Sequence, residues 1–347
     1  MSYRQFSRRS FLRFSSLAVA SVLASTSCRQ QAVEDRGNSS VSQPLRLGFN
    51  LWAGFMPWQV AKKKNIFQSN GLNAELVWFP VLSDQLTAFN SGKVDVAGMT
   101  MGDFLTAIVN GVKAKVISVT DISLGADAIL VAPTVNSIQE LAGKKASVEI
   151  GTVGHLLFLK ALEQAKIPEN KVEIVNQAAD AAVSALIAGK TEIAYSYEPF
   201  VSQAVTSGKG KIIFSSKDVP GLVPDLLVIR EDAIARQPEA IAKLLKVWYS
   251  TLEYRRANIN EVLPIEAKQA GISVQEYQNL LKGFKWLTSQ EAIASLQPGE
   301  TTQSMFNTAQ VAAKFMLEQK LLTQEPPPFA QLIDDRALKQ YSSTSST

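Results

Sequence analysis

The sequence of 347 residues has one cysteine, Cys28, and one histidine, His155. A zinc site needs several His, Cys or carboxylate ligands in close groups, and none occurs. A Ser/His/acid triad would have to use His155, and the sequence has no Gly-x-Ser-x-Gly segment to present the serine. A lone cysteine forms no disulfide within the chain. The sequence therefore predicts neither an enzyme of these classes nor a bound metal or cofactor.

The glycine-rich motifs that bind nucleotides are incomplete. Gly189-Lys190-Thr191 resembles the end of a phosphate loop, but Ser184 stands where the first glycine is required. Residues 208–210, Gly-Lys-Gly, lack the third glycine of a dinucleotide fingerprint. These absences shift the expectation from catalysis towards binding.

The chain also lacks a charge excess outside its N-terminus. Four of the 35 basic residues lie in residues 1–27, which hold no acid, so the remainder carries equal numbers of acids and bases. Nucleic acid requires a basic surface, and no nucleic-acid partner is expected. No segment after residue 28 approaches the length of a membrane-spanning helix.

Residues 1–28 have the features of an export signal. Residues 7–13 read Ser-Arg-Arg-Ser-Phe-Leu-Arg, a twin-arginine sequence, and the mildly apolar run 14–24 is too short to span a bilayer permanently. Cys28 ends a segment similar to a lipoprotein cleavage box, although Ser25 replaces the usual large aliphatic residue. We expect export to the periplasm or the outer face of the cytoplasmic membrane, with lipid attachment at Cys28.

A loosely repeated unit suggests two similar lobes. Residues 85–100 recur 97 positions later as residues 182–197, with Gly92 aligned to Gly189. Each copy has the pattern of a helix, a glycine that ends it and a short apolar strand. Two like lobes leave a cleft in which small molecules bind. The alternative is that Gly-Lys is a common helix ending in any α/β protein.

Short apolar strands alternate with helices through residues 45–214, which is typical of mostly parallel sheets with helices on both faces. Residues 121–133 and 219–225 interrupt this alternation, and we interpret them as hinge crossings between two lobes. The predicted fold class is thus α/β, with two mostly parallel sheets. The predicted parts are a signal (1–28), a flexible tether (29–43), lobe 1 (44–125 plus 226–325), lobe 2 (126–225) and a frayed tail (326–347).

The junctions that follow the predicted strands hold candidate binding residues, because ligands collect at strand carboxyl ends and helix N-termini. Trp52 either stacks on a ligand ring or packs against its lobe. Asp103 either caps a helix or binds ligand. Glu198 is a first-turn charge or a ligand acceptor. Gly151 permits close backbone approach, and Thr152 adds a hydroxyl group.

Several motifs follow one another in a characteristic order. They are Arg46-Leu-Gly-Phe-Asn-Leu-Trp-Ala-Gly, Ser91-Gly-Lys-Val-Asp-Val-Ala, Gly125-Ala-Asp-Ala, Leu141-Ala-Gly-Lys-Lys, Val172-Glu-Ile-Val-Asn, Tyr197-Glu-Pro-Phe and Val219-Pro-Gly-Leu. In this order they resemble the nitrate/sulfonate/taurine-type solute-binding proteins of ABC importers. The similarity runs from about Leu45 to past Trp286.

The resemblance implies a periplasmic-binding-protein fold of type II, in which two lobes close on a small solute by hinge motion. It implies a protein that is not an enzyme and that delivers its solute to a membrane permease driven by a separate ATPase. We expect a monomer. For Asp127, in the first crossing, a turn residue is the alternative. The residues that fall at the expected cleft are Asn50, Trp52, Thr100, Asp103, Asp127, Gly151, Thr152, His155, Tyr197 and Glu198.

The ligand is expected to be a nitrogen-bearing organic solute, such as a pyrimidine-type vitamin precursor. Asp103, Asp127 and Glu198 would repel an inorganic anion and accept N–H donors, and no obvious Arg or Lys accompanies them. Trp52 and Tyr197 add aromatic surface. Nitrate, bicarbonate or an organosulfonate such as taurine is the alternative.

Two other function classes fit the sequence less well. Pyrimidine-precursor synthases share the superfamily fold, but they are expected to need a cofactor lysine, histidines and a cysteine-rich iron motif. One His and one Cys oppose that assignment. A sensor domain would carry an attached transmembrane or kinase segment, which the sequence lacks.

Overall fold

The computed structural model describes residues 43–344, so the signal, Cys28 and most of the predicted tether lie outside the described residues. Short runs of buried apolar residues form the strands, where side chains pack on both faces of a sheet. The eleven strands of this range are β1 Leu45–Asn50, β2 Ala74–Phe79, β3 Val96–Thr100, β4 Ala114–Ser123, β5 Asp127–Val131, β6 Lys145–Val148, β7 Glu173–Asn176, β8 Ile193–Tyr197, β9 Lys211–Ser215, β10 Pro224–Arg230 and β11 Phe284–Trp286.

The helices flank these strands and bury one apolar side against them. Trp58 and Trp248, from two different helices, pack together with ring centroids 4.9 Å apart and are both fully buried. Within residues 43–344 the α-helices are α1 Pro57–Lys63, α2 Ile66–Ser69, α3 Leu82–Asn90, α4 Met101–Val109, α5 Val153–Ala165, α6 Ala179–Ile187, α7 Phe200–Thr206, α8 Glu231–Arg236, α9 Ala240–Ala257, α10 Ile259–Ala270, α11 Val274–Leu280, α12 Ser289–Ser295, α13 Met305–Glu318 and α14 Arg336–Thr344.

The strands form two mixed sheets with the same internal arrangement. The first sheet has the order β11-β4-β10-β3-β1-β2, and the second has the order β7-β6-β8-β5-β9. β1 pairs in parallel with β2 and β3, as β6 does with β7 and β8. β10 lies antiparallel to β3 and β4, as β5 does to β8 and β9. The sheets are mixed rather than mostly parallel, because β10 and β5 each enter a sheet from the opposite direction.

The two segments predicted as crossings are strands over part of their length. β4 extends to Ser123 and β5 begins at Asp127, so residues 124–126 connect the first sheet to the second. β10 begins at Pro224 and returns the chain to the first sheet. The sequence did not predict β5 and β10, because a strand of this kind is stabilised by neighbours on both sides that are distant in sequence.

The repeated unit is present at the predicted spacing. α3 and β3 recur 97 residues later as α6 and β8. Gly92 and Gly189 end the two helices with φ values of 74° and 67°, a left-handed conformation that glycine adopts without a Cβ clash. β3 and β8 also occupy equivalent positions in their sheets. The predicted limits of the two lobes stay predictions.

Two helices show different N-terminal capping. α3 begins at Leu82, and the preceding Val81 makes no side-chain cap hydrogen bond. α12 begins at Ser289, and Thr288 caps it, because the Thr288 hydroxyl accepts the backbone N–H of Glu291.

The C-terminal residues through Thr344 are part of the fold, contrary to the predicted frayed tail. Ile333 forms a β-bridge with Val116 of β4, and Leu338 of α14 is fully buried. Tyr341 stacks on Tyr249 of α9, with ring centroids 5.1 Å apart. The polar composition of this segment indicated fraying, but the burial of these few apolar groups opposes it.

Asp95 joins the strands of the first sheet to α8. Its side chain is 2% exposed and accepts hydrogen bonds from Arg46 Nε at 2.9 Å and from Arg236 Nη2 at 2.5 Å. Burial alone raises the pKa of Asp95, but the hydrogen bonds and charges of the two arginines outweigh it, so this pKa lies below its ordinary value.

We expect Asp95→Asn to lower the free energy of unfolding by about 2 kcal/mol at pH 7, because the variant removes the buried carboxylate that Arg46 and Arg236 share and leaves Arg236 with only the half-exposed Asp232. A depressed carboxyl pKa contributes stability above the unfolded-state value and loses it as pH falls through the folded-state value. The difference from the wild type should therefore shrink at pH 3, as urea unfolding would measure. The control is Asp232→Asn, whose carboxylate is half exposed beside Arg236. Equal losses in both variants would contradict the argument.

Candidate functional site

A small cavity lies between the two sheets, at the edge where β1, β3 and β8 end. Its volume is about 20 Å³, and one water molecule requires about 10–15 Å³ of such space. The first sheet contributes strand-end residues and the second sheet faces them. The lining consists of Asn50, Trp52, Phe55, Leu82, Gly98, Met99, Thr100, Asp103, Asp127, Val153, Tyr195, Tyr197, Val223 and Asp225.

The structure brings six of the ten predicted binding residues into this lining. Two of the remaining four lie at the N-terminus of α5. Thr152 caps that helix, because its hydroxyl accepts the backbone N–H of Gly154 at 3.2 Å. Gly151 is exposed, with φ of 83°. The six residues of the lining are Asn50, Trp52, Thr100, Asp103, Asp127 and Tyr197.

His155 and Glu198 are the other two, and both have partners outside the lining. His155 Nε2 lies 3.2 Å from Glu169 Oε1. Glu198 precedes the N-cap of α7 and accepts the backbone N–H and the hydroxyl of Ser202, at 3.1 and 2.9 Å. The assignment of all ten residues to ligand binding stays a prediction.

Two aspartates occupy equivalent places in the two sheets. Asp225 of β10 pairs with Thr100, the last residue of β3, and Asp127 of β5 pairs with Tyr197, the last residue of β8. β3 and β8 are the two copies of the repeated strand. Asp225 was not predicted as a site residue, because it lies in the segment 219–225 that was interpreted as a hinge crossing. The repeat itself was the signal that would have located it, once β10 and β5 were recognised as strands.

The carboxyl group of Asp127 is well supplied with hydrogen-bond donors. Tyr195 donates its hydroxyl to Oδ1 at 2.7 Å. Burial raises the pKa of Asp127, and the hydrogen bonds from Ser123 and Tyr195 oppose that rise. Asp127 is therefore a residue of the cavity wall as well as the first residue of a strand.

Asp103, by contrast, has an acceptor oxygen with no partner. Thr100 donates its hydroxyl to Oδ2 at 2.8 Å, whereas Oδ1 is buried and accepts no hydrogen bond from residues 43–344. Burial raises the pKa of Asp103 to about 7, against the opposing effects of Thr100 and of the nearby backbone N–H of Val153. A buried acceptor without a donor is costly, so a hydrogen-bond donor placed in the cavity would stabilise Asp103.

Trp52 packs across the cavity between residues of both sheets. Its ring is edge-on to Tyr197 at 6.2 Å and lies 5.1 Å from Phe284. Its Nε1 donates to Asp121 Oδ1 at 2.9 Å. Trp52 thus packs between the two sheets, and its stacking on a ligand ring stays a prediction. No local sequence pattern distinguishes Asp121, which lies within β4.

Gly154 allows Tyr195 to lie against the first turn of α5. A Cβ atom added at Gly154 would be 2.2 Å from Cδ1 of the Tyr195 ring. Real Cβ atoms do not approach other atoms so closely, so the ring or the helix would have to move. The absence of a side chain at Gly154 therefore allows close contact with Tyr195, whose hydroxyl donates to Asp127.

We expect Gly154→Ala to lower the free energy of unfolding by about 1–3 kcal/mol, because the methyl group displaces the Tyr195 ring. Gly102 is the matched control, since it is likewise the second residue of its helix, α4. A Cβ there would meet Leu156 Cδ2 at an ordinary 3.5 Å, and Gly102→Ala should change stability by less than about 1 kcal/mol in either direction. Urea unfolding compares the two, and equal effects would contradict the proposed clash.

Larger grooves occur elsewhere on residues 43–344. One of about 430 Å³ lies between α5, the loop 219–222 and α13, and another of about 670 Å³ lies beside β11. Neither is formed by the ends of the central strands. The small cavity is the candidate site because strand ends of both sheets, two helix N-termini and buried carboxyl groups meet there.

Five strands of the first sheet have the same order as the five strands of the second, and the two sheets meet at their strand ends around a cavity that contains buried carboxyl groups. This arrangement defines a two-lobe α/β binding protein of the periplasmic-binding-protein fold. The same fold occurs in the alkanesulfonate-binding protein of Xanthomonas axonopodis pv. citri bound to MOPS, with a TM-score of 0.71 and 16% identity over 84% of this chain and 98% of that chain. It also occurs in the periplasmic nitrate-binding protein of Synechocystis PCC 6803, with a TM-score of 0.70 and 12% identity over 87% and 88% of the two chains.

The chain belongs to the NMT1-like family, whose sequence model matches residues 39–263. It is 25% identical over 292 residues to the taurine-binding periplasmic protein of Escherichia coli K12, covering 81% of this chain and 88% of that protein. The predicted family and fold are thereby confirmed: this is a solute-binding protein of the nitrate/sulfonate/taurine type. Across residues 43–344, no helix is sufficiently long and apolar to cross a bilayer.

Proposed function

We propose that this chain captures a small organic solute bearing N–H donors outside the cytoplasm and delivers it to a membrane permease with a separate ATPase. The observation that carries the proposal is the composition of the cavity. Asp103, Asp127 and Asp225 line it, and no lysine, arginine or histidine of residues 43–344 does so.

The charges in the cavity favour a donor over an anion. An anion at this place would lie among buried carboxyl groups with no cation to balance it, and burying such a charge is costly. An N–H group would satisfy Asp103 Oδ1, the acceptor that is otherwise unpartnered. A pyrimidine-type precursor with an amino group and ring nitrogens meets these requirements, and Trp52 and Tyr197 provide aromatic surface for it.

Hinge motion supplies the means of entry. The cavity of about 20 Å³ is smaller than any organic solute, so the two sheets must separate to admit one. Residues 124–126 and 216–223 are the connections that would bend. Contacts of the solute with Asp103 on one side and Asp127 on the other would favour the closed form, which the permease would recognise. Lipid attachment at Cys28 would hold the protein at the outer face of the membrane.

A second candidate is an anionic solute such as an organosulfonate or nitrate. Two observations favour it: relatives are named for taurine, alkanesulfonate and nitrate, and the N-termini of α4 and α5 meet the cavity at Asp103 and Val153. Helix N-termini present free N–H groups and partial positive charge to an anion.

Isothermal titration calorimetry with 4-aminopyrimidine, acetamidinium, taurine, ethanesulfonate and nitrate separates the two candidates. The proposal expects binding of the first two and a preference for taurine over ethanesulfonate, because these sulfonates differ only in the ammonium group that carboxylates would accept. Compaction on binding, measured by X-ray scattering, would support closure. Tight binding of nitrate and ethanesulfonate, with none of 4-aminopyrimidine or acetamidinium, would reject the proposal in favour of the anion.

A further inference from the structure

Asp225 faces the cavity on one side and meets a second carboxyl group on the other. Asp225 and Asp121 pair directly across β10 and β4, which places their side chains next to each other on one face of the sheet. Burial and the charge of Asp121 raise the pKa of Asp225. Both residues are buried, at 5% and 0% exposure. Two carboxyl groups form a hydrogen bond only when one of them carries a proton, because an ionised carboxylate has no donor.

The surrounding donors indicate which of the two keeps the proton. Trp52 Nε1 donates to Asp121 Oδ1 at 2.9 Å, and the Thr120 hydroxyl donates to Oδ2 at 3.0 Å. These donors stabilise a negative charge on Asp121. Burial raises the pKa of Asp225 well above its ordinary value, and the charge of Asp121 raises it further. The proton therefore lies on the side of Asp225, the residue of the cavity wall.

The equivalent position in the second sheet has no such pair. Asp127 receives the hydroxyl of Tyr195, and its own backbone N–H donates to Ser123 Oγ at 3.2 Å. Hydroxyl groups thus surround Asp127 where a carboxyl group accompanies Asp225. Asp127 and Asp225 occupy equivalent positions beside β8 and β3. The two sheets therefore differ at this position in the partner of the aspartate and not in its location.

We propose that Asp225 is a further solute-recognition residue, and that it holds a proton shared with Asp121 until a cationic nitrogen group of the solute replaces that proton. The O–H bond of Asp225 breaks, the proton passes to bulk water, and an N–H of the solute becomes the new donor. Asp121 is the positioning residue that orients this proton. The inference rests on the proposed function and narrows it to a positively charged group such as an amidinium or ammonium.

Among the residues that the structure describes, the charged groups around Asp121 and Asp225 include no cation that already balances the pair. The negative charges of Asp127 in β5 and Asp103 in α4 raise the pKa of Asp225 further. The charge of Asp121 likewise contributes to the raised pKa of Tyr277 in α11, which is mainly due to burial. β11 also packs against β4, and behind it Arg255 stacks on Trp286 and is paired with Glu266 at 2.8 Å. Within residues 43–344, no set of acidic, His or Cys side chains is arranged to hold a metal ion.

Infrared spectroscopy of the ligand-free protein tests the shared proton directly. We expect the wild type at pH 8.5 to show the carbonyl band of a protonated carboxyl group, and Asp225→Asn and Asp121→Asn each to abolish it. Glu300→Gln, at an exposed carboxylate, is the control and should retain the band. Absence of the band in the wild type, or its persistence in Asp225→Asn, would overturn the inference. Because no solute is used, this result does not depend on the proposed function.

Calorimetry with acetamidinium in two buffers of different ionisation enthalpy tests the exchange. At pH 8.5, where Asp103 with its pKa of about 7 is already ionised, the wild type should release about one proton per bound acetamidinium. Asp121→Asn should release about none, since its amide donates permanently to Asp225. Asp225→Asn should weaken binding by at least about tenfold. Equal proton release in the wild type and Asp121→Asn would overturn the exchange. If the band is present but acetamidinium does not bind, the shared proton stands and the cationic solute is rejected.

Discussion

Replacing Asp103 by asparagine will make the protein more stable at pH 8, by about 2 kcal/mol, and will weaken acetamidinium binding by about 100-fold. The wild-type carboxyl group is buried with a pKa of about 7, so its ionisation at pH 8 occurs against the cost of burial. Asparagine removes that cost and keeps the shape of the side chain. It also removes the negative charge that would face the solute. Urea unfolding and calorimetry measure the two effects.

Asp84→Asn is the matched control, because Asp84 is also the third residue of its helix, α3, but is exposed to solvent. It should change stability by less than about 0.5 kcal/mol and leave binding unchanged. A loss of stability in Asp103→Asn would contradict the burial argument. Stronger binding of nitrate by Asp103→Asn than by the wild type, with no change for acetamidinium, would indicate an anion site.

The affinity for acetamidinium will increase by about 100-fold from pH 5 to pH 8, because the solute requires carboxylates that are protonated at the lower pH. Asp103 and Asp121 both have a pKa raised by burial to about 7. Acetamidinium keeps its charge over this range, so the change in affinity arises from titration of the protein's carboxyl groups. Calorimetry at constant ionic strength measures it. Nitrate, if it binds, should show the opposite trend.

The stability of the ligand-free protein should decrease as pH rises, whereas the affinity increases. A folded-state pKa raised above the unfolded value means that the folded protein binds more protons between about pH 4 and pH 7. The contribution of Asp103 and Asp121 is therefore fully present below about pH 4 and is lost as pH rises through about 7. Asp103→Asn should have a smaller decline than the wild type across this range. A pH-independent affinity together with a flat stability profile would contradict the assignment of these pKa values.

The residues of the site divide into those that the sequence located and those that it did not. Asn50, Thr100 and Tyr197 end strands, and strand ends of an α/β sheet meet at one edge whatever the remaining topology is. Asp121 and Asp225 lie inside strands whose partners are far away in sequence. No local pattern marks such residues, because their significance depends on the register of β4 against β10.

His155 and Glu198 show the opposite case. Both follow a predicted strand, as binding residues do, but each has a partner, Glu169 and Ser202, that turns it away from the lining. The position of a residue after a strand is set by local sequence. The direction of its side chain depends on which donors and acceptors surround it after folding.

The order of helices and strands, the repeated unit and the strand-end site follow from local chemistry: apolar periodicity, glycine at positive φ and polar residues after short strands. These are interactions between neighbours in sequence, so the sequence alone indicated them. The insertion of β5 and β10 between other strands, the pairing of Asp121 with Asp225, and the burial of α14 depend on contacts across many residues. Such contacts form only when distant segments pack, because burial and cross-strand pairing stabilise groups that no single segment can shield from water.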